Sequence, residues 1–122
     1  MDFGEVRYDG GARPFDGYGP GFFRVGGAVH EGALVLHAGG QTPWDGADPA
    51  PLVALAGLVD VVLMGTGDAI AHPPAGLRAA VEDAGIGLET MATPAACRTY
   101  NVLLGEGRRV AAAVRPVGPA AG

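Results

Sequence analysis

A chain of 122 residues with 48% hydrophobic and 17% charged side chains has the size of one globular domain and too much apolar content for a disordered or acidic solvating segment. Its 22 glycines and 10 prolines punctuate apolar runs without a period, which excludes collagen-like and low-complexity readings. The single cysteine excludes an internal disulfide and a multi-cysteine zinc site.

The net charge is −5, and all 8 basic side chains are arginine, with no cluster beyond the pair Arg108 and Arg109. Nucleic-acid binding is therefore not expected, because neutralising phosphates requires clustered cations. The longest apolar stretch, residues 51–64, is interrupted by Gly57 and carries Asp60, whereas a membrane helix needs about 20 consecutive apolar residues. Residues 1–16 lack the apolar core of a secretory signal. The expectation is a soluble, cytoplasmic protein without stable membrane insertion.

In chain order, Phe3, Val6 and Tyr8 suggest an edge strand at residues 3–8, followed by a loop in which Gly17, Tyr18 and Gly19 with Pro20 and Gly21 read as turn chemistry. Two β-prone runs, 22–25 and 28–30, flank Gly26 and Gly27 as a hairpin. Glu31 and Gly32 make a second turn, and residues 33–37 complete a three-stranded meander that occupies most of residues 1–38. Residues 39–51 read as a loop containing Trp44. A helix is expected over 49–58, with Asp48 as N-cap and Pro49 at its first position, and with Leu52, Leu55, Ala56 and Val59 on one face.

Residues 60–64 form an almost wholly apolar run, as expected of a strand buried on both faces. A turn at Gly65, Thr66 and Gly67 leads through Pro73 and Pro74 to a helix over 75–84, ended by Gly85. A strand over 86–91 follows, then a helix that starts at Thr93 and Pro94 and runs to about 104, then a strand over 110–114 and a tail over 117–122. Alternating helices and strands across residues 49–116 predict crossover units and a largely parallel sheet. The chain is thus predicted to be a single α/β domain over 1–122, with a mixed central sheet and an extra β layer.

Parallel strands at 60–64 and 86–91 would bring Gly65, Thr66 and Gly67 to the same carboxyl edge as the helix start at Thr93, and open α/β sheets bind ligands at that edge. The glycines allow backbone amides to turn toward an anion, but the third glycine of a dinucleotide fingerprint and the P-loop lysine are both absent. Thr93, Cys97, Arg98, Thr99 and Asn101 complete the candidate ligand-binding set. Arg98 and Asn101 are read as sharing the face opposite the apolar stripe of Ala96, Tyr100 and Leu103. A helix start and a neighbouring arginine both lower a thiol pKa, which makes Cys97 a candidate nucleophile with His72 as the base that could reach it. The bland reading is a small buried hydrophobe, and no catalytic residue is assigned. His30, His37 and His72 lack ligand spacing, and neither metal nor cofactor is expected.

Several stretches together resemble one family: Gly65, Thr66 and Gly67; Met91, Ala92 and Thr93; the run Ala96, Cys97, Arg98, Thr99, Tyr100 and Asn101; and Glu106, Gly107, Arg108, Arg109, Val110, Ala111 and Ala112, with Gly17, Tyr18, Gly19 and Trp44 earlier. Their order and spacing resemble the Mth938-like domain family, a small domain shared by a mitochondrial respiratory complex I assembly factor, an adipogenesis-associated protein and many uncharacterised bacterial and archaeal proteins. The resemblance implies three layers: a mixed five-stranded sheet with helices on one face and a β meander on the other. It implies no established catalytic activity. Ala92 stands where the family pattern leads one to expect an aspartate.

The expected function is a non-enzymatic protein-binding or assembly-factor-like module acting on an unidentified protein partner. The alternative is a small-molecule or anion-binding protein, with or without enzymatic activity, whose site lies at the carboxyl edge. Exposed strand edges also allow a homo-oligomer.

Overall fold

The computed structural model describes residues 13–118. The strand expected at 3–8 lies outside the described residues, as do positions 119–122 of the tail. Three short strands, β1 (Gly17–Gly19), β2 (Phe22–Val25) and β3 (Ala28–Glu31), form an antiparallel sheet in that order. Gly26 and Gly27 have φ of 58° and 80° and join Val25 to its partner Ala28. Two consecutive positive φ angles match the right-handed strand twist, as the predicted hairpin requires.

The next strand, β4 (Leu34–His37), departs from the expected meander. It leaves the small sheet and enters a five-stranded one with β5 (Gly40–Pro43), and the third strand of the small sheet is supplied instead by Gly17–Gly19. The physical reason lies in Leu34, Val35 and Leu36, which are apolar at successive positions and all buried. Consecutive apolar residues point to both faces of a strand, and only the interior of the larger sheet covers both. The segment Gly40–Pro43, expected as loop, pairs antiparallel with β4 and forms an edge, the place where a strand tolerates proline.

The helix expected over 49–58 contracts to α1 (Ala50–Val53), with Pro49 in the N-cap position. The Asp48 carboxylate still accepts the Ala50 N–H at 2.9 Å. Beyond Val53 the chain continues in i→i+3 turns and leaves the helix at Gly57, φ 81°. Leu52, Leu55 and Val59 are buried as expected, while Ala56 is exposed.

The remaining elements alternate as predicted: β6 (Val61–Gly65), α2 (Leu77–Asp83), β7 (Gly87–Met91), α3 (Thr93–Gly105) and β8 (Val110–Val114). Strand order in the large sheet is β5-β4-β8-β6-β7, with β6 parallel to both β7 and β8 and β4 antiparallel to β8. The molecule is therefore α/β, with a mixed five-stranded sheet and a separate β layer.

The helices, however, occupy both faces rather than one. The chain steps outward from β6 to β7 and then back across β6 to β8. Parallel crossovers are nearly always right-handed, so a reversal of direction puts successive helices on opposite faces. Accordingly Val62, Met64, Ala111 and Ala113 pack with Leu52, Leu77 and Val81 from α1 and α2. Leu36, Leu63, Ala112 and Val114 pack on the other side with Ala96, Tyr100 and Leu104 from α3 and with Phe23 and Val25 from the small sheet.

The tightest point of this packing is Gly65. A Cβ there would lie 2.7 Å from Thr93 Oγ1, 2.9 Å from Thr93 Cα and 3.0 Å from Val114 Cγ1. Backbone cannot yield as a flexible side-chain end can, so Gly65→Ala must push the start of α3 off the sheet. The expected cost is about 2–3 kcal/mol, as for overpacked cores, read as a lower urea midpoint at an unchanged m-value.

Candidate functional site

The carboxyl ends of β6, β7 and β8 lie in register, Gly65 opposite Met91 and Val114. The loop after β6 and the start of α3 thus meet at one edge, as the sequence suggests. The polar groups there bond to one another. Thr93, fully buried, donates its Oγ1 hydrogen to Arg115 O at 2.6 Å and accepts the Gly67 N–H at 2.9 Å, while its own N–H donates to Gly67 O at 2.8 Å. Thr66 Oγ1 donates to Ala69 O at 2.7 Å and accepts the Ala71 N–H at 2.9 Å. Arg115, which the sequence reading did not single out, sends Nε and Nη2 to Gly46 O at 3.0 and 2.8 Å and ties the loop before α1 to the same edge. A ligand at this edge would meet hydroxyls already engaged with the backbone.

Ala92, not Thr93, occupies the N-cap position of α3, in extended conformation and without a side-chain cap bond; its carbonyl accepts the Ala96 N–H. An aspartate at this place would accept orphan N–H groups of the first turn. The residue the family pattern leads one to expect here thus has a capping role available to it.

Along α3 the candidate residues separate by face. Arg98 is exposed and Thr99 half-buried, whereas Cys97 and Asn101 are buried. Asn101 does not share a face with Arg98. It follows Cys97 by four residues and precedes Leu104 by three, which places it inside the buried stripe. That spacing is the signal the sequence offered, an amide where the pattern calls for an apolar side chain. The structure supplies the reason for it. Asn101 Oδ1 accepts the Phe15 N–H and Nδ2 donates to Phe15 O, both at 2.8 Å. The side-chain amide thereby pairs with a backbone as a neighbouring strand would. The residue before it, Tyr100, donates its Oη hydrogen to Arg13 O at 2.8 Å. The Phe15 ring packs edge-on to Tyr100 at 5.4 Å and tilted against Phe23 at 5.6 Å. The segment leading into β1 is thus fastened to α3, and through α3 to the large sheet.

Cys97 is fully buried within that core. Burial pushes its thiol up to about 12, with the Arg98 charge pulling weakly the other way. A thiol so protonated near neutral pH is not an activated nucleophile. His72 is exposed in the loop after Gly67. Among the described residues no group of histidine, cysteine and acidic side chains is placed to hold a metal ion.

Residues 15–115 match the family described as proteins of unknown function, DUF498/DUF598. The chain belongs to that family. An uncharacterised protein from Rhodobacter capsulatus is 56% identical over 108 residues, covering 88% of this chain and 87% of the relative. The solution structure of a Bordetella pertussis protein described as a Mth938-like domain superposes with TM-score 0.74 at 26% identity, covering 98% of this chain and 95% of that one, so the resemblance read from the sequence holds. A Bartonella henselae crystal structure, of a protein described as an outer membrane protein, is similar with TM-score 0.80 at 33% identity and covers 92% of this chain and 100% of its own. Among the described residues of this DUF498 chain, no helix is long and apolar enough to cross a membrane.

Asn101→Ala leaves both Phe15 backbone groups buried without partners. The expected loss is about 3 kcal/mol, seen in urea unfolding, together with faster hydrogen exchange at the Phe15 amide. Cys97 makes a pH prediction. An unfolded thiol ionises at about 8.5, while the native one resists ionisation until about 12. The stabilisation is complete below the lower value and is lost as pH rises through the interval between them. Stability should therefore fall more steeply with alkaline pH in the native chain than in Cys97→Ala, and iodoacetamide should modify Cys97 only on unfolding.

Proposed function

We propose that this DUF498 protein is a non-enzymatic protein-binding module, working as an assembly factor does, and that it docks through the outward face of α3. One observation carries the reading. Arg98 is exposed, and Val102, one turn later on the same side, is 59% exposed. The other side of α3 is packed into the core. An exposed valine beside a guanidinium, flanked by half-buried Ala95 and Thr99, pairs an apolar contact with a charge, the combination that anchors protein interfaces. A partner with an apolar side chain and a carboxylate fits it.

The aromatic residues of the first half support this choice of face over their own. Phe15, Phe23 and Trp44 are buried, Trp44 Nε1 donates to Asp48 O at 2.8 Å, and Tyr18 and Phe22 are half-buried, so most of this aromatic surface serves the core. The alternative, a small-molecule site at the carboxyl edge, draws on the meeting of Gly65, Thr66, Gly67 and Thr93. There the threonine hydroxyls hold the loop, which favours the α3 face.

A photo-crosslinking amino acid placed at Val102 in the native host should yield a discrete protein adduct, and Arg98→Glu should abolish it while leaving the unfolding midpoint unchanged. Absence of an adduct, or an adduct indifferent to Arg98→Glu, would refute docking through this face. An adduct with a second copy of the chain would make the partner itself.

A further inference from the structure

The opposite end of the parallel strands carries a different arrangement. Where β6 and β8 begin, a cleft of about 340 Å³ opens between the β4–β5 turn, the segment before β6 and the α3–β8 connection. This lies at the lower end of the range of about 300–1,000 Å³ usual for small-molecule sites. Its lining includes apolar Leu58, Val59 and Leu104, and polar His37, Arg108 and Arg109. Leu58 is 61% exposed, an unusual setting for leucine, and it borders the opening.

The two arginines differ. Arg109 is committed: its guanidinium donates to Asp60 Oδ1 at 2.9 Å, to Asp60 Oδ2 at 3.3 Å and to Gly57 O at 3.1 Å. Arg108 makes no ion pair or side-chain hydrogen bond among the described residues, and its backbone is held in place. Gly107, with φ of 78°, donates its N–H to Leu104 O, and Arg108 N–H donates to Leu103 O, which closes α3 in a Schellman motif. His37 Nδ1 accepts the Gly39 N–H at 3.1 Å, so the neutral ring carries its hydrogen on Nε2, as a donor. Burial and the positive charge of Arg13 both hold the His37 pKa below its ordinary value. Neither Asp60 nor Glu106 is part of the lining. Among the described residues Arg108 is thus the cation of the lining left without an ion pair, with Asp60 near enough to feel its charge, and its guanidinium stands over an apolar floor.

The geometry points to this cleft as a binding site for a small amphiphilic oxyanion, its apolar body against Leu58, Val59 and Leu104 and its carboxylate or phosphate head on the Arg108 guanidinium and the His37 Nε2–H. Charge-assisted bonds to a guanidinium fix the head, and apolar contact supplies the remaining affinity. The site shares no residue with the α3 docking face, so either can fail without the other.

The test is titration of the full chain, followed by backbone amide NMR shifts, with hexanoate, hexyl phosphate and hexylammonium. Saturable shifts at Gly39, Gly107 and Arg108 are expected with at least one of the two anions, and which one responds identifies the head group. Arg108→Gln should weaken that binding about tenfold or more. Leu58→Glu, which places a carboxylate at the opening, should abolish it. The proposal is overturned if neither anion gives saturable shifts, if hexylammonium binds as well as the anions, or if both variants bind like the native chain.

Discussion

The structure depends on one close approach, between Gly65 at the end of β6 and Thr93 at the start of α3. The missing Cβ at Gly65 lets the helix backbone come down onto the sheet. The Thr93 hydroxyl then bridges Gly67 and Arg115, joining the segments that follow β6 and β8 to the start of the helix. Everything else that α3 does follows from this seat. It buries Ala96, Cys97, Tyr100 and Leu104 against the central strands, and it holds Asn101 at the height of Phe15. The alanines of β8 answer the same constraint. Ala111, Ala112 and Ala113 are fully buried, at a strand packed on both faces and between two neighbours, where larger side chains would force the layers apart.

Strand order determines what α3 can meet. The return from β7 across β6 to β8 places α3 on the face away from α1 and α2. That face would otherwise be only partly covered, and the small sheet fills it with Phe23 and Val25. Asn101 and Tyr100 hold the segment entering that sheet by hydrogen bonds to Phe15 and Arg13. A polar group buried in a core is costly unless bonded. The Asn101 amide is satisfied by backbone groups that would themselves be orphaned without it, and one side chain thus specifies how two layers are joined.

These constraints divide the molecule by use. At the carboxyl edge, where open α/β sheets commonly bind ligands, hydroxyls and loop backbone satisfy one another. At the amino edge, Arg108 and His37 line a cleft together with the apolar Leu58, Val59 and Leu104. Along the outside of α3, Arg98 and Val102 face solvent. For a member of a family of unknown function, the parts not spent on holding the fold are the informative ones, and they lie away from the edge that fold analogy favours.

Local chemistry was readable from the sequence. Alternating helices and strands after residue 49, the parallel pairing of the apolar runs, the glycine hairpin at Gly26 and Gly27 and the end of α2 at Gly85 all follow from periodicity and turn preferences, which act over a few residues. The meeting of Gly65, Thr66 and Gly67 with Thr93 was legible for the same reason, since parallel strands align their ends. Three things depended on tertiary structure: the transfer of Leu34, Val35 and Leu36 to the large sheet, the splitting of helices between two faces, and the partners of Thr93, Cys97 and Asn101. Each depends on contacts between segments far apart in the chain. Asn101 meets a residue 86 positions away, and the cleft draws on three separate connections. Propensity and period describe a residue and its near neighbours. Which distant backbone an amide satisfies, and which face a helix covers, is decided only when the layers close.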